Sequence, residues 1–206
     1  MKILVLSPHC DDAEIAMGGT MARFAAQGHE IKLINTLISG TDFIYPDSKP
    51  FEFSKKYYDE RLANAHESAK ILGIEMQFLD LDPFEFRYDR KHIELFDKLV
   101  LENNPDKIFT VWNHDSHYDH QVLSRIVISI SRKNKASVYM FENMIPGGIT
   151  PQSFNPQMYV NISDFAEVKK KSLRAYTSAL NSKTVDSIFK RSGFRGGQIG
   201  VNHAET

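Results

Sequence analysis

Two clusters of histidine and aspartate in the sequence have residue types suited to metal binding and to acid-base chemistry. The first, PHCDD at residues 8–12, directly follows the apolar segment KILVLS (2–7), and the second, NHDSHYDHQ at residues 113–121, directly follows KIFTVW (107–112). A catalytic zinc ion usually takes three protein ligands from histidine and carboxylate side chains and keeps a fourth position for water. The clusters therefore indicate a metal site with chemistry at its open position.

The ligand set within these clusters would be His9, Asp12 and His120. His9 and Asp12 are three residues apart, which lets both side chains turn inward across a strand-to-helix turn. The polar residues that would not bind the metal are Asp11, His117 and Asp119. Each residue alone has a simpler explanation, since either aspartate of the first cluster could cap the following helix. Two clusters at two strand ends make that explanation much weaker for the whole set.

The elements that must position these clusters alternate along the chain. Three stretches with helical spacing, residues 13–28, 57–73 and 90–104, lie between apolar runs rich in β-branched residues. Those runs are KILVLS (2–7), HEIKLINTLI (29–38), MQFLDL (76–81), KIFTVW (107–112), SVYMFE (137–142) and QMYVNIS (157–163). Such alternation predicts an α/β fold, a Rossmann-like three-layer sandwich with a mainly parallel sheet.

In a sheet of that kind, ligands bind beyond the carboxyl ends of the strands, where both clusters would lie. The glycines of a dinucleotide fingerprint are missing after the first strand, and the phosphate loop GxxxxGK[ST] occurs nowhere in the sequence. Nucleotide binding is therefore not expected. Two segments rich in Pro, Gly, Ser and aromatic residues, 41–54 and 143–156, are predicted to be long loops that line the site.

The bulk properties of the chain favour a single domain over residues 1–206 and a small-molecule partner. Its 25 Lys and Arg residues balance 26 Asp and Glu residues, so no basic face dense enough for nucleic acid is expected. One cysteine, Cys10, excludes an internal disulfide and a CxxC site. Because neither a membrane span nor a signal peptide is indicated, we expect a cytoplasmic protein.

The two clusters resemble the motifs of the LmbE-like or PIG-L metal-dependent de-N-acetylases. The family motif HPDDxE reads HCDDAE at residues 9–14, with Cys10 in place of proline, and the motif HxDH reads HYDH at 117–120. GGTMARFAAQGHEI (18–31) is similar to the family's first helix and second strand. RGGQIGVNHAET (195–206) is similar to its closing segment. The resemblance thus covers nearly the whole chain.

The resemblance implies a Zn²⁺ ion, or another divalent metal, held by His9, Asp12 and His120. Asp11 would be the general base and His117 would stabilise the oxyanion, with the Asp119 carboxylate fixing the tautomer of His117. The implied reaction removes an N-acyl group from an amino sugar or a related small molecule, with acetyl as the first candidate for the acyl group. A homo-oligomer is the assembly that the resemblance implies.

Residues outside the main set have weaker signals. The resemblance makes Arg61 a substrate contact, although Asn64 stands where the family's RxxE helix has glutamate. Glu14 has the default explanation of a carboxylate in the first turn of a helix, but its motif position suggests that it supports the metal ligands. His203 and Glu205 lie near the end of the sequence, where disorder is the usual expectation.

Two other functions fit part of the pattern. Two histidines and one carboxylate also form the facial triad of iron(II) oxygenases, which usually occur on β-rich scaffolds. The second alternative is a metal-binding or sugar-binding module without catalysis. Such a module would require neither Asp11 nor His117, so the presence of both favours an enzyme.

Overall fold

The computed structural model of the protein describes residues 1–38, 55–143, 152–177 and 179–206, and for residues 55–57 it describes the backbone alone. The predicted loop at 41–54 lies outside these residues, as does most of the loop at 143–156.

Five parallel strands form the central sheet, in the spatial order β3-β2-β1-β4-β5. These strands are β1 (Lys2–Ser7), β2 (Glu30–Asn35), β3 (Glu75–Phe78), β4 (Lys107–Val111) and β5 (Ser137–Phe141). The strand order reverses between β1 and β4, which pair directly and form the topological switch point of the sheet. Both His/Asp clusters directly follow these two strands.

Helices cover both faces of the sheet, because side chains alternate along each strand. The helices are α1 (Asp12–Ala26), α2 (Lys55–Leu72), α3 (Arg90–Asn103), α4 (Tyr118–Ser131), α5 (Ala166–Arg174) and α6 (Ser182–Gln198). Leu4 and Leu6 of β1 pack with α3 and α4 on one face, while Ile3 and Val5 pack with α1 on the other. This confirms the predicted α/β sandwich with its parallel sheet.

The segment predicted as a sixth strand, residues 157–163, does not join the central sheet. Only Val160–Asn161 (β6) is extended, and it pairs antiparallel with β7 (Ala204–Glu205) in a separate two-stranded sheet. The apolar side chain of Ile162 is fully buried beside α1 rather than in the sheet. The hydrophobic run therefore reflects packing on a helix.

The expected disorder of the C-terminal residues was wrong. Glu205 is only 5% exposed and His203 hydrogen-bonds through its ring to Ser192 at 3.0 Å. Pairing with β6 and burial of the Glu205 carboxylate order this segment.

Across the described parts of the chain, no helix combines the length and the apolar character that crossing a membrane requires.

Candidate metal centre and active site

The turn between β1 and α1 holds Asp11 in a strained backbone conformation. Asp11 occupies the position before the first residue of α1 with φ 107°, a left-handed value that few residues other than glycine adopt. Its side chain makes no capping hydrogen bond and instead accepts one from Nη1 of Arg61 at 3.2 Å. Strain of this kind concentrates at functional sites, so helix capping does not explain Asp11.

Three atoms from the predicted ligand set converge on one point. Nδ1 of His9 lies 3.0 Å from Oδ2 of Asp12, and Nε2 of His120 lies 3.2 Å from the same oxygen and 3.3 Å from the His9 nitrogen. Bonds of 2.0–2.1 Å to a tetrahedral zinc ion separate its ligand atoms by about 3.3 Å. The three side chains therefore fit a single divalent ion without rearrangement.

A wider group of three histidines fits an ion less well. Candidate ligand atoms of His9, His117 and His120 lie only within 4.8 Å of one another. Two ligands at opposite sides of one ion are separated by about 4.2 Å at most. Asp12 is therefore a better third ligand than His117.

Both histidine rings are oriented by carboxylates on the side away from that point. Nε2 of His9 lies 3.0 Å from Oδ2 of Asp119, and Nδ1 of His120 lies 2.7 Å from Oδ2 of Asp115. Metal-binding histidines commonly have such partners, because a carboxylate fixes the ring and makes its other nitrogen a stronger ligand. Asp12 is held in turn by Nδ2 of Asn143, which donates to its Oδ1 at 2.8 Å.

Sequence reasoning missed Asp115 and Asn143. The signal for Asp115 was its place in the second cluster, five residues before His120. Asn143 follows β5, so its position after a third strand of the same sheet was the available signal.

The charges around this point favour a cation. Burial lowers the pKa of His120, but the charge of Asp12 and the hydrogen bond to Asp115 outweigh it and raise that pKa to about 10. Burial also lowers the pKa of His9, but the hydrogen bonds to Asp119 and Asp12 outweigh this effect, so the pKa of His9 is raised. The same carboxylates favour a divalent ion, which must displace these protons to bind.

His117 is the N-cap residue directly before α4 and differs from the other two histidines. Its Nδ1 accepts a hydrogen bond from the backbone N–H of Asp119 at 3.2 Å, so the neutral ring carries its proton on Nε2. The Asp119 carboxylate, predicted to fix this tautomer, lies 3.8 Å from Nδ1 and instead contacts His9. Burial and the nearby charges of His9 and His120 lower the pKa of His117, which favours the neutral ring.

Arg61 holds Asp11 and the backbone beside it. Its Nη2 donates to the carbonyl oxygen of Cys10 at 2.6 Å, and its side chain is 6% exposed. Burial raises the pKa of Asp11, and the Arg61 charge opposes the rise, which leaves that pKa at about 6. Arg61 therefore acts on Asp11 in this structure, and its contact with substrate stays a prediction.

Glu14 is fully buried and bonded away from the ligand atoms. Its Oε1 accepts from the Tyr176 hydroxyl at 2.5 Å and from the Ser68 hydroxyl at 3.3 Å. Burial raises the pKa of Glu14 to about 7 although the Tyr176 hydrogen bond lowers it. The contacts anchor the first turn of α1 to α2 and to the segment after α5, and support of the ligands by Glu14 stays a prediction.

We expect Asp115→Asn to weaken binding of a divalent ion by roughly 10- to 100-fold, the usual effect of losing a carboxylate behind a histidine ligand. The amide preserves the size of the side chain but no longer makes the His120 ring a stronger ligand. Competition with a chromophoric chelator measures the dissociation constant. An unchanged constant would show that Asp115 does not act through His120.

Comparison with known families identifies the family of this chain. The family model PIG-L, described as GlcNAc-PI de-N-acetylase, matches residues 4–131. That span is more than half of the chain and contains both clusters. The chain belongs to the PIG-L family.

Two curated relatives match this PIG-L protein over most of its length. Diacetylchitobiose deacetylase of Thermococcus kodakarensis is 24% identical over 191 residues, which cover 86% of this chain and 69% of that protein. A Bacillus cereus protein named probable N-acetyl-alpha-D-glucosaminyl L-malate deacetylase 2 is 25% identical over 202 residues, 91% of this chain and 88% of the relative. Both names describe deacetylases.

Solved structures share the fold. N,N'-diacetylchitobiose deacetylase from Pyrococcus horikoshii matches with a TM-score of 0.81 and 22% identity, over 99% of this chain and 81% of that one. GalB, the 4-carboxy-2-hydroxymuconate hydratase of Pseudomonas putida, has the same TM-score at 19% identity, over 99% and 93%. A hydratase and a deacetylase share this fold. The structural likeness therefore confirms the α/β fold, and the reaction has to be inferred from the residues of the site.

Proposed function

We propose that this PIG-L protein is a metal-dependent hydrolase that removes an N-acyl group from an amino sugar or a related small molecule, with acetyl as the first candidate for the acyl group. The observation that carries the proposal is the ligand triangle of His9, Asp12 and His120 beside Asp11, a carboxylate that is not part of it. The names of the two relatives support deacetylation of a sugar.

The metal would be held by His9, Asp12 and His120. A divalent ion there would supply Lewis acidity, which would lower the pKa of water to about 7 and polarise the amide carbonyl. His9 and His120 must bind as neutral rings, and Asp119 and Asp115 behind them accept the N–H of the nitrogen that faces away.

Asp11 has the position and the partners of a general base. It directly precedes the ligand Asp12, and Arg61 stabilises its carboxylate form against the effect of burial. The carboxylate takes a proton from water as the oxygen bonds to the carbonyl carbon. It then returns the proton to the amine nitrogen as the C–N bond breaks. The products are a free amine and a carboxylic acid, which loses its remaining proton to solvent.

His117 would serve the oxygen of the reacting carbonyl. With its proton fixed on Nε2 by the Asp119 backbone, the neutral ring can donate a hydrogen bond to that oxygen as negative charge develops. Because the pKa of His117 is lowered, the ring would donate this hydrogen bond in its neutral form rather than as an imidazolium.

The test of this function is acetate release from a panel of N-acetylated sugars, free, nucleotide-linked and lipid-linked, by zinc-loaded protein. Asp11→Asn protein loaded with the same metal is the control for contaminating activity. Hydrolysis of one substrate class by the parent alone supports the proposal. Loaded parent protein that releases no acetate from any member of the panel would contradict it.

An iron(II) enzyme remains the alternative, because the ligand set contains two histidines and one carboxylate. That alternative requires oxygen-dependent turnover with iron and none with zinc. Comparing the activities of the zinc and iron forms with and without oxygen separates the two functions.

The homo-oligomer and the cytoplasmic location stay predictions.

We expect His117→Ala to lower kcat by roughly 10²- to 10³-fold, the scale for loss of one oxyanion donor, with KM nearly unchanged. The metal content should match that of the parent, because His117 lies outside the ligand triangle. Steady-state kinetics and elemental analysis measure the two effects. A variant with parental kcat, or without metal, would exclude this role.

A further inference from the structure

The helix that supplies Asp12 is interrupted one turn after it begins. Met17, inside α1, has φ −134° and ψ 24°, which are not helical values. The interruption separates a short first segment, Asp12–Ala16, from the rest of the helix. Five residues form little more than one turn and cannot hold a fixed orientation without contacts from other parts of the chain.

A buried ion pair contacts the backbone on both sides of the interruption. Nζ of Lys169 donates to the carbonyl oxygen of Ile15 at 2.8 Å, and Oε1 of Glu205 accepts from the backbone N–H of Gly19 at 3.0 Å. Nζ of Lys169 also contacts Oε1 of Glu205 at 2.5 Å. In a regular helix, residues four apart such as Ile15 and Gly19 bond each other directly. The ion pair thus bridges the two groups of one helical hydrogen bond.

The second carboxylate oxygen extends the contact. Oε2 of Glu205 accepts from the backbone N–H of Thr20 at 2.6 Å, so the carboxylate accepts from the two successive N–H groups of Gly19 and Thr20, shortly after the interruption. A Cβ on Gly19 would come within 2.7 Å of the Ile162 side chain, so only glycine allows the segment around β6 this close. The two-stranded sheet of β6 and β7 therefore packs closely against α1 around Gly19.

Because Lys169 and Glu205 are both buried, each charge depends on the other for its stabilisation. The side chains of Lys169 and Glu205 are 1% and 3% exposed. Burial lowers the pKa of Lys169, and the Glu205 charge opposes that effect. Removing one member leaves an unpaired buried charge, which is strongly unfavourable.

We infer that Lys169 and Glu205 are positioning residues for the metal centre. They hold the segment Asp12–Ala16 at a fixed angle to the remainder of α1, and this segment supplies the ligand Asp12. Because the ligand atoms must meet within a few tenths of an ångström, a change in that angle weakens metal binding. The inference rests on the proposed metal site, but it concerns residues far along the chain from the ligands.

Three variants test this inference: Glu205→Gln, Lys169→Met and the double variant. The matched control is Asp89→Ala, which removes a hydrogen bond of 2.9 Å that caps α3 on the opposite face of the sheet. Thermal denaturation sets a temperature at which every protein is folded. At that temperature we measure the Zn²⁺ dissociation constant by chelator competition and amide hydrogen exchange of metal-free protein.

Each single variant is expected to bind Zn²⁺ at least about 10-fold more weakly and to exchange the amides of Asp12–Ala16 at least about 10-fold faster than the parent. The control should lower only the melting temperature. The double variant should lose less stability than the two single losses added together, because no buried charge remains unpaired. If Glu205→Gln does not fold, Glu205→Asp retains the charge one methylene shorter, and a weaker form of both changes is expected.

A purely structural role would lower the melting temperature and leave zinc affinity and exchange at Asp12–Ala16 as in the control, which would overturn the inference. Failure of the proposed function has a different signature. In that case the parent binds zinc or shows protected amides at Asp12–Ala16 but releases no acetate. Amide exchange is read without metal or substrate, so it judges the positioning role by itself.

Discussion

Asp11→Asn is expected to lower kcat for amide hydrolysis by roughly 10²- to 10⁴-fold while the metal stays bound. An amide has the shape of the carboxylate but cannot take the proton of water. Asparagine also tolerates the left-handed backbone that φ 107° imposes at this position, and its oxygen still accepts the hydrogen bond from Arg61. The loss therefore reports the missing base rather than a disturbed turn.

The comparison variant for Asp11→Asn is Asp12→Ala, which removes a ligand from the adjacent position. We expect that variant to lose metal and activity together, since Asp12 contacts both histidine ligands at 3.0 and 3.2 Å. Elemental analysis and single-turnover acetate release distinguish the two cases. Equal loss of metal from both variants would mean that the roles of the adjacent aspartates are assigned incorrectly.

His120→Ala is expected to abolish metal retention and, with it, all measurable hydrolysis. Purified parent protein should hold about one divalent ion per chain, because three ligands suffice for a catalytic site. Without the His120 ring, two ligand atoms remain, and the Asp115 carboxylate loses its 2.7 Å partner. Metal content after dialysis is the measurement.

His114→Ala is the matched control for His120→Ala. His114 belongs to the same cluster, but its ring lies 5.2 Å from that of Trp112 rather than among the ligands. This variant should retain its metal and its activity. Should His120→Ala prove as fully loaded as His114→Ala, the ligand triangle would be wrong.

The fold and the ligand triangle follow from local sequence patterns. The continuous apolar run in KILVLS reflects a strand buried on both faces, and the direct pairing of β1 with β4 in a parallel sheet brings the ends of these two strands together. His9 and His120 are 111 residues apart, yet the two clusters that contain them follow strands that pair. Strand ends are therefore informative about distant contacts.

The partners of the histidines did not follow from the sequence. Asp115 and Asp119 both lie near His117 and His120, and the choice between them depends on ring orientations that spacing does not define. In the structure each carboxylate takes a different ring, and a backbone N–H serves His117. Glu205 could not be assigned either, because its contact with Gly19 follows no periodic pattern.

The contact between Glu205 and Gly19 spans 186 residues and so constrains when the protein can mature during synthesis. Chain emerging from the ribosome has all five strands of the central sheet once residue 141 is available, and it then already holds His9, Asp12 and His120. Local and mid-range contacts can form at that stage. Lys169 and Glu205 are still missing, so the contacts that hold Asp12–Ala16 to the rest of α1 have not yet formed. A nascent chain at this length should therefore have a nearly complete sheet and only weak affinity for metal, and metal uptake should follow synthesis of the C-terminal segment.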